Sequence, residues 1–184
     1  MSTSERIPIA GIVVIAAAAL AACAVQSPAV KPPALGTAVS AEEVARWDIS
    51  IPPSGAGLPK GSGTARQGLQ VYEQKCLACH GAKGVGKPAD VLVGGVGSLA
   101  SKTPLRTVGS YWPYATTLFD YVRRAMPIAN PLSLSDDEVY AVSAYVLFLN
   151  GIVGEDAQMN AQSLPQVKMP NRDGFVSDWP PRVR

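Results

Sequence analysis

The sequence predicts an all-α domain of a few short helices, flanked by an N-terminal arm and a C-terminal strap. Three stretches carry that prediction: an amphipathic run over Thr64–Lys75, a second with one apolar side over Tyr114–Ala125, and an almost wholly apolar run that follows Ser135 and stops at Asn150-Gly151. No βαβ pattern accompanies them. A chain of 184 residues suits one domain with extensions. A net charge of +2 argues against a nucleic-acid binder, which would carry a basic excess. The single histidine excludes a His-pair zinc site and leaves no second imidazole for general-base work.

Residues 1–23 read as an export signal. A short polar start, MSTSERIP, precedes the apolar run IAGIVVIAAAALAA, which suits a signal core and is short for a membrane span of ~20 residues. Leu20-Ala21-Ala22-Cys23 resembles a bacterial lipobox, in which the cysteine is lipidated. Cleavage without lipid and an uncleaved anchor are the alternatives, since no charge lies between Arg6 and Lys31. All three send the domain across the inner membrane, so the expected location is periplasmic, with or without a membrane tether at the N-terminus. Residues 24–43 are low in charge and contain Pro28, Pro32 and Pro33, the composition of an extended linker. Residues 44–63 form the arm. AEEVARW leads into it as a short helical turn, and Trp47, Ile49 and Ile51 alternate after that. A tryptophan is unusual in a free linker, so the arm is expected to lie on the domain surface.

The domain proper spans 64–151. Thr64 is a candidate N-cap, and Leu69, Tyr72 and Cys76 recur at helical spacing. Gly68 inside this helix costs ~1 kcal/mol against Ala and marks the close approach of another backbone. The helix runs into Cys76-Leu77-Ala78-Cys79-His80, the C-x-x-C-H haem attachment motif. The spacing has a chemical reason. Two thiols three positions apart add across the vinyl groups of one porphyrin edge, and the adjacent imidazole reaches the iron. A redox C-x-x-C would sit within a βαβ pattern. A zinc site needs four ligands, and the third cysteine, Cys23, belongs to the signal region. One motif and one histidine predict one haem c, covalently attached.

The second iron ligand must come from another residue type, and Met/His ligation raises the potential of c-type cytochromes. Met126, Met159 and Met169 are the candidates. Met126 ends the helix Tyr114–Ala125, whose Leu118, Phe119, Val122 and Ala125 form an apolar side, and Pro127 stops it. Met169 lies beyond the last helix and would need the tail to double back; Met159 suits packing. That last helix opens with a capping box at Ser135 and Glu138 and is apolar nearly all round, so it should be buried on more than one side. Between the motif and this helix, Arg106, Tyr111 and Trp112 are candidate donors to haem propionates; packing is the alternative for the two aromatics. Arg123 and Arg124 could serve a propionate, an acidic partner or only the solvated C-terminal end of their helix.

The spacing of Gly68, Tyr72, Cys76, Cys79 and His80 resembles that of class I cytochromes c. The resemblance implies the class I fold. It implies that Gly68 and Tyr72 cross an aromatic of the last helix, matched by Tyr145, and that Met126-Pro127 is the ligand dipeptide. It also implies that a proline carbonyl after the motif accepts from the other ring N–H of His80, for which Pro88 is the candidate, its alternative being a turn.

Three longer stretches narrow the resemblance. GSYWPYATTLFDYVRRAMP (109–127), KMPNRDGF (168–175) and WDISIPPSGAGLPKGSGT (47–64) are similar to the cytochrome subunits of bacterial sulfite dehydrogenases and of the sulfur dehydrogenase in thiosulfate oxidation. The similarity covers about residues 44–175. It implies a carrier rather than an enzyme in its own right: electrons arrive from a molybdenum-cofactor dehydrogenase subunit and leave to a soluble cytochrome c or a terminal oxidase of the respiratory chain. The single motif and Cys23 depart from some members. A general tethered cytochrome c shuttle is the alternative function, and a haem enzyme or sensor a third that requires loss of the methionine ligand. Residues 152–184, with Met169, Phe175 and Trp179, are expected to form a strap that shapes the docking face; the alternative is a loose C-terminus.

Overall fold

The computed structural model describes residues 35–176. Cys23, the signal and Trp179 lie outside the described residues. The chain divides after Ala41, and residues from Glu42 onward make the body described here. Its elements are α1 (Ala41–Trp47), β1 (Ser62–Thr64), α2 (Ala65–Lys75), α3 (Leu77–His80), α4 (Ala115–Ala125), α5 (Asp136–Leu149) and β2 (Gln158–Asn160), with single 3-10 turns at Ala82–Gly84 and Leu164–Gln166.

Helices α2 and α5 form the centre of the fold. Each begins with a reciprocal capping box, as the sequence predicts. In α2 the Thr64 N–H donates to the Gln67 side chain at 2.9 Å and the Gln67 N–H to the Thr64 hydroxyl at 3.3 Å. In α5 Ser135 and Glu138 exchange the same bonds at 2.7 and 3.3 Å. These satisfy amide groups that a helix start leaves unpaired. The buried face of α2 holds Gly68 and Tyr72 as expected, with Cys76 half-buried, but it takes Ala65 in place of Leu69, which is exposed. The reason is the partner. A Cβ on Gly68 would run into the Ala141 carbonyl, so the two backbones touch there, and the rings of Tyr72 and Tyr145 meet at 5.2 Å between centroids. Helix α5 is buried continuously from Val139 to Leu147, because α2 covers one side, α4 another and both strands a third. From α4 it receives Phe119, whose ring lies 4.4 Å from that of Tyr140.

The fold is not wholly helical. β1 and β2 pair antiparallel, Gly63 opposite Met159, which joins the end of the arm to residues 158–160. Three-residue strands carry no readable alternation, so the sequence gives no sign of them. Beyond β2 the chain buries Leu164, Val167 and Met169 in the core.

The arm is held by its backbone and by Ile51, which is buried. Trp47, the residue that suggested the arm's packing, is 83% exposed at the end of α1. The Ile51 N–H donates to Asp120 at 2.8 Å, the Thr116 hydroxyl to Pro53 O at 3.0 Å, and the Tyr140 hydroxyl to Pro59 O at 2.9 Å. Side chains of α4 and α5 thus satisfy the carbonyl and amide groups of a segment with no regular structure.

Candidate haem site

The motif occupies the junction of α2 and α3. The Cys76 N–H closes α2 on Tyr72 O at 2.9 Å, while Cys76 O accepts from the N–H groups of Cys79 and His80 at 3.1 and 2.9 Å. One helical turn therefore presents both thiols and the imidazole together. Gly81 follows in a left-handed conformation, φ 70°, and its carbonyl accepts from the Tyr72 hydroxyl at 2.8 Å. A side chain at Gly81 would meet Gly86 O, so the chain folds back on itself at once. The turn is fixed further by Gly86 N–H to His80 O at 2.8 Å and Ala89 N–H to Cys79 O at 2.9 Å.

The His80 ring is oriented by a backbone carbonyl, but not that of Pro88. Nδ1 lies 2.9 Å from Asp90 O, two residues further on. Pro88 is exposed on the loop that brings Asp90 round, and the Ala89 N–H bond to Cys79 O sets which carbonyl arrives. An Nδ1–H donated to Asp90 O leaves the Nε2 lone pair for a metal, the tautomer a ligating imidazole requires.

Both thiols are free, Cys76 half-buried and Cys79 exposed. Burial, with Cys79 beside it, pushes the Cys76 thiol up to about 11, and burial, with Cys76 beside it, pushes the Tyr72 phenol up to about 12.

Met126 is the C-cap of α4, and its N–H bonds Val122 O at 3.1 Å. It is half-buried, whereas Met159 and Met169 are packed in the core. Trp112 is half-buried and meets Tyr121 of α4 edge-on at 5.8 Å. Tyr111 is partly exposed; the Arg106 guanidinium lies 5.7 Å over its ring and Phe175 meets it edge-on at 5.2 Å.

Three residues matter here that the sequence reading missed or misassigned. Asn150, read only as a helix stop, reaches from the end of α5 to the loop after the motif. Its Oδ1 accepts from Gly94 N–H at 3.1 Å, and its Nδ2 donates to Leu92 O at 3.2 Å and to Val146 O at 2.9 Å. Arg123 pairs with Asp136 at 3.0 Å and reaches Ile49 O. Arg124 pairs with Asp120, its Nε 2.9 Å from the carboxylate. Arg123 thus holds the arm and the start of α5, whereas Arg124 holds Asp120, the carboxylate that accepts from Ile51 N–H. Burial of Asp120 opposes its charge, but hydrogen bonds from Arg124 and the Ile51 N–H, with the charges of Arg124 and Arg123, outweigh that and hold its carboxyl below the ordinary range.

The donor set fits a haem. Two thiols and an imidazole with a free Nε2 share one turn, and a thioether stands at the end of α4. Val85, Val96 and Leu105 on the loop after His80, and Ile128 and Leu132 on the loop after Met126, expose large apolar side chains. Exposed apolar surface on the two loops that follow the ligand residues suits cover by a large apolar group.

Comparison with known proteins agrees. Residues 63–146 match the family described as cytochrome C oxidase, cbb3-type, subunit III. A chain of the crystal structure of the sulfane dehydrogenase SoxCD from Paracoccus pantotrophus is 40% identical, with a TM-score of 0.74 over 79% of this chain and 72% of that one. With the helix crossing at Gly68 and the C-x-x-C-H turn in place, the chain belongs to the cytochrome c family, has the class I fold with a small added sheet, and takes covalently bound haem c as its cofactor.

Proposed function

We propose that this cytochrome c carries electrons from a molybdenum-cofactor dehydrogenase that oxidises sulfite or a sulfane sulfur, and hands them to a soluble cytochrome c or terminal oxidase of the respiratory chain. The observation that carries the reading is the reach of the similarity to SoxCD. It covers 79% of this chain, well beyond the length of the family match at 63–146, so the likeness extends past the haem-binding domain that any general shuttle shares.

At the site, Cys76 and Cys79 would hold the haem through two thioethers, and His80 Nε2 and Met126 Sδ would ligate its iron. The half-burial of Met126, against full packing of Met159 and Met169, supports that choice. Arg106 and Trp112 are donors toward the propionates, with Tyr111 fixed between Arg106 and Phe175. Haem c supplies a one-electron ferric/ferrous couple. With His80 and Met126 both committed to the iron, no ligand position would be left for substrate, and Asp90 O orients the His80 ring. Replacement of Met126 by Ala should abolish the weak far-red sulfur-to-iron absorption of the oxidised form, whereas Met169→Ala should leave it; the reverse outcome would exchange their roles. Export places the domain in the periplasm, tethered through Cys23 or the signal segment, or free after cleavage.

The experiment that tests the partner is affinity purification of the tagged chain from its own cells, with metal analysis of what accompanies it. Stoichiometric molybdenum supports the reading. Recovery with an oxidase and no molybdenum would favour the general shuttle.

A further inference from the structure

We infer that the C-terminal segment Met169–Phe175 is a clamp that positions the loop leading into α4, and through it the Met126 end of that helix. The inference rests on Met126 as the second iron ligand.

The segment is anchored at one end by Met169, which is buried in the core. From there three side chains reach one short stretch of the chain some sixty residues earlier. Asn171 Nδ2 donates to Tyr111 O at 2.8 Å. The Arg172 guanidinium lies 4.5 Å over the ring of Tyr114. Phe175 meets the ring of Tyr111 edge-on at 5.2 Å, and Arg106 lies over that ring. A hydrogen bond, a cation on a ring and a ring pair thus bind Tyr111 and Tyr114, and Tyr114 is the N-cap of α4.

The cap has no side-chain bond of its own; in the first turn the Thr116 hydroxyl bonds Pro53 O, and the lead-in before Ala115 is held from outside the helix. The lead-in is tied at both ends. Arg172 holds Tyr114, and Trp112 packs on Tyr121 nearly two turns into the helix. Helix α4 ends at its C-cap Met126, and its middle is packed on α5 through Phe119 and Arg123. A loosened entry is passed along it as a small shift at the Met126 end, and a methionine sulfur is a weak ligand that a competing base can displace. The strap therefore sets how readily the sixth position opens.

Phe175 remains 53% exposed and Tyr111 37%. The clamp is consequently held by contacts at the surface, where an approaching protein could tighten or loosen it.

The test uses the full-length holoprotein in its oxidised form, titrated with imidazole, which binds ferric haem when methionine leaves. The variants are Asn171→Ala/Phe175→Ala, Asn171→Ala alone, Phe175→Tyr and Met126→Ala, with the reduction potential measured for each. Loss of the clamp should tighten imidazole binding about tenfold, equivalent to about 1.4 kcal/mol. The potential should fall with it, and Phe175→Tyr, which keeps the ring, should match the parent. Unchanged imidazole affinity in both clamp variants, with strong tightening in Met126→Ala, would overturn the clamp alone. If Met126→Ala itself leaves affinity and far-red absorption unchanged, the ligand assignment fails, and the clamp falls with it. Should the double variant lose its fold, Asn171→Ala decides by the same reading.

Discussion

Gly68 of α2 lies directly on the backbone carbonyl of Ala141 in α5, with no room between them for a methyl group. This contact sets the distance at which Tyr72 and Tyr145 meet, and Tyr72 in turn holds the Gly81 carbonyl just past the haem motif. Replacing Gly68 by Ala gains helix propensity worth ~1 kcal/mol but forces two backbones apart. Overpacking against a rigid carbonyl outweighs that gain, and a net destabilisation of about 2 kcal/mol is expected in denaturant unfolding of the holoprotein. A variant as stable as the parent would show that the helices do not cross there.

Asn150 is expected to matter more than an ordinary helix stop. Its amide bonds Gly94 N–H, Leu92 O and Val146 O, and a Cβ on Gly109 would strike it, so it sits at the seam of three segments. Asn150→Ala strips three partners at partly buried positions and should cost about 2–3 kcal/mol. It should also raise hydrogen exchange at Gly94 specifically. Asn150→Asp should recover the bond from the Gly94 N–H but not the two that Nδ2 donates.

The arm should be the acid-sensitive part of the domain. The folded-state pKa of Asp120 lies below its ordinary value of ~3.9, so the stabilisation it contributes is fully present above that value and is lost as pH falls through the folded pKa. Protonation weakens the pair with Arg124 and the bond from Ile51 together. Asp120→Asn should remove about 1 kcal/mol at neutral pH and flatten the acid limb of the stability curve. A variant that keeps the parental acid limb would assign that limb to other carboxylates.

Much of this site was legible in the sequence because its signals are local. The capping boxes at Thr64 and Ser135, the glycine at 68 and the C-x-x-C-H turn each depend on residues within a few positions of one another, and all of these structural features are present. The misreadings concern partners far apart in the chain. The carbonyl that orients His80 belongs to Asp90 because of how one loop folds, and any residue type can supply a carbonyl. Arg123 and Arg124 read as serving a propionate, an acidic partner or a solvated helix end, since nothing in their neighbourhood announces the arm carbonyl that Arg123 reaches or the Asp120 that Arg124 holds. The arm itself was identified through Trp47, yet Ile51 is the residue that packs. The pairing of Gly63 with Met159 joins strands too short to have a period.

The central claim is that this cytochrome receives electrons from a sulfur-oxidising molybdenum dehydrogenase. It is tested most directly by mixing the oxidised holoprotein, without oxygen, with the purified molybdenum subunit and adding sulfite or a sulfane sulfur donor while following the haem spectrum. The account predicts rapid conversion to the ferrous form that requires both subunit and substrate. A haem that stays ferric with the subunit bound and its substrate consumed by an artificial acceptor would contradict it.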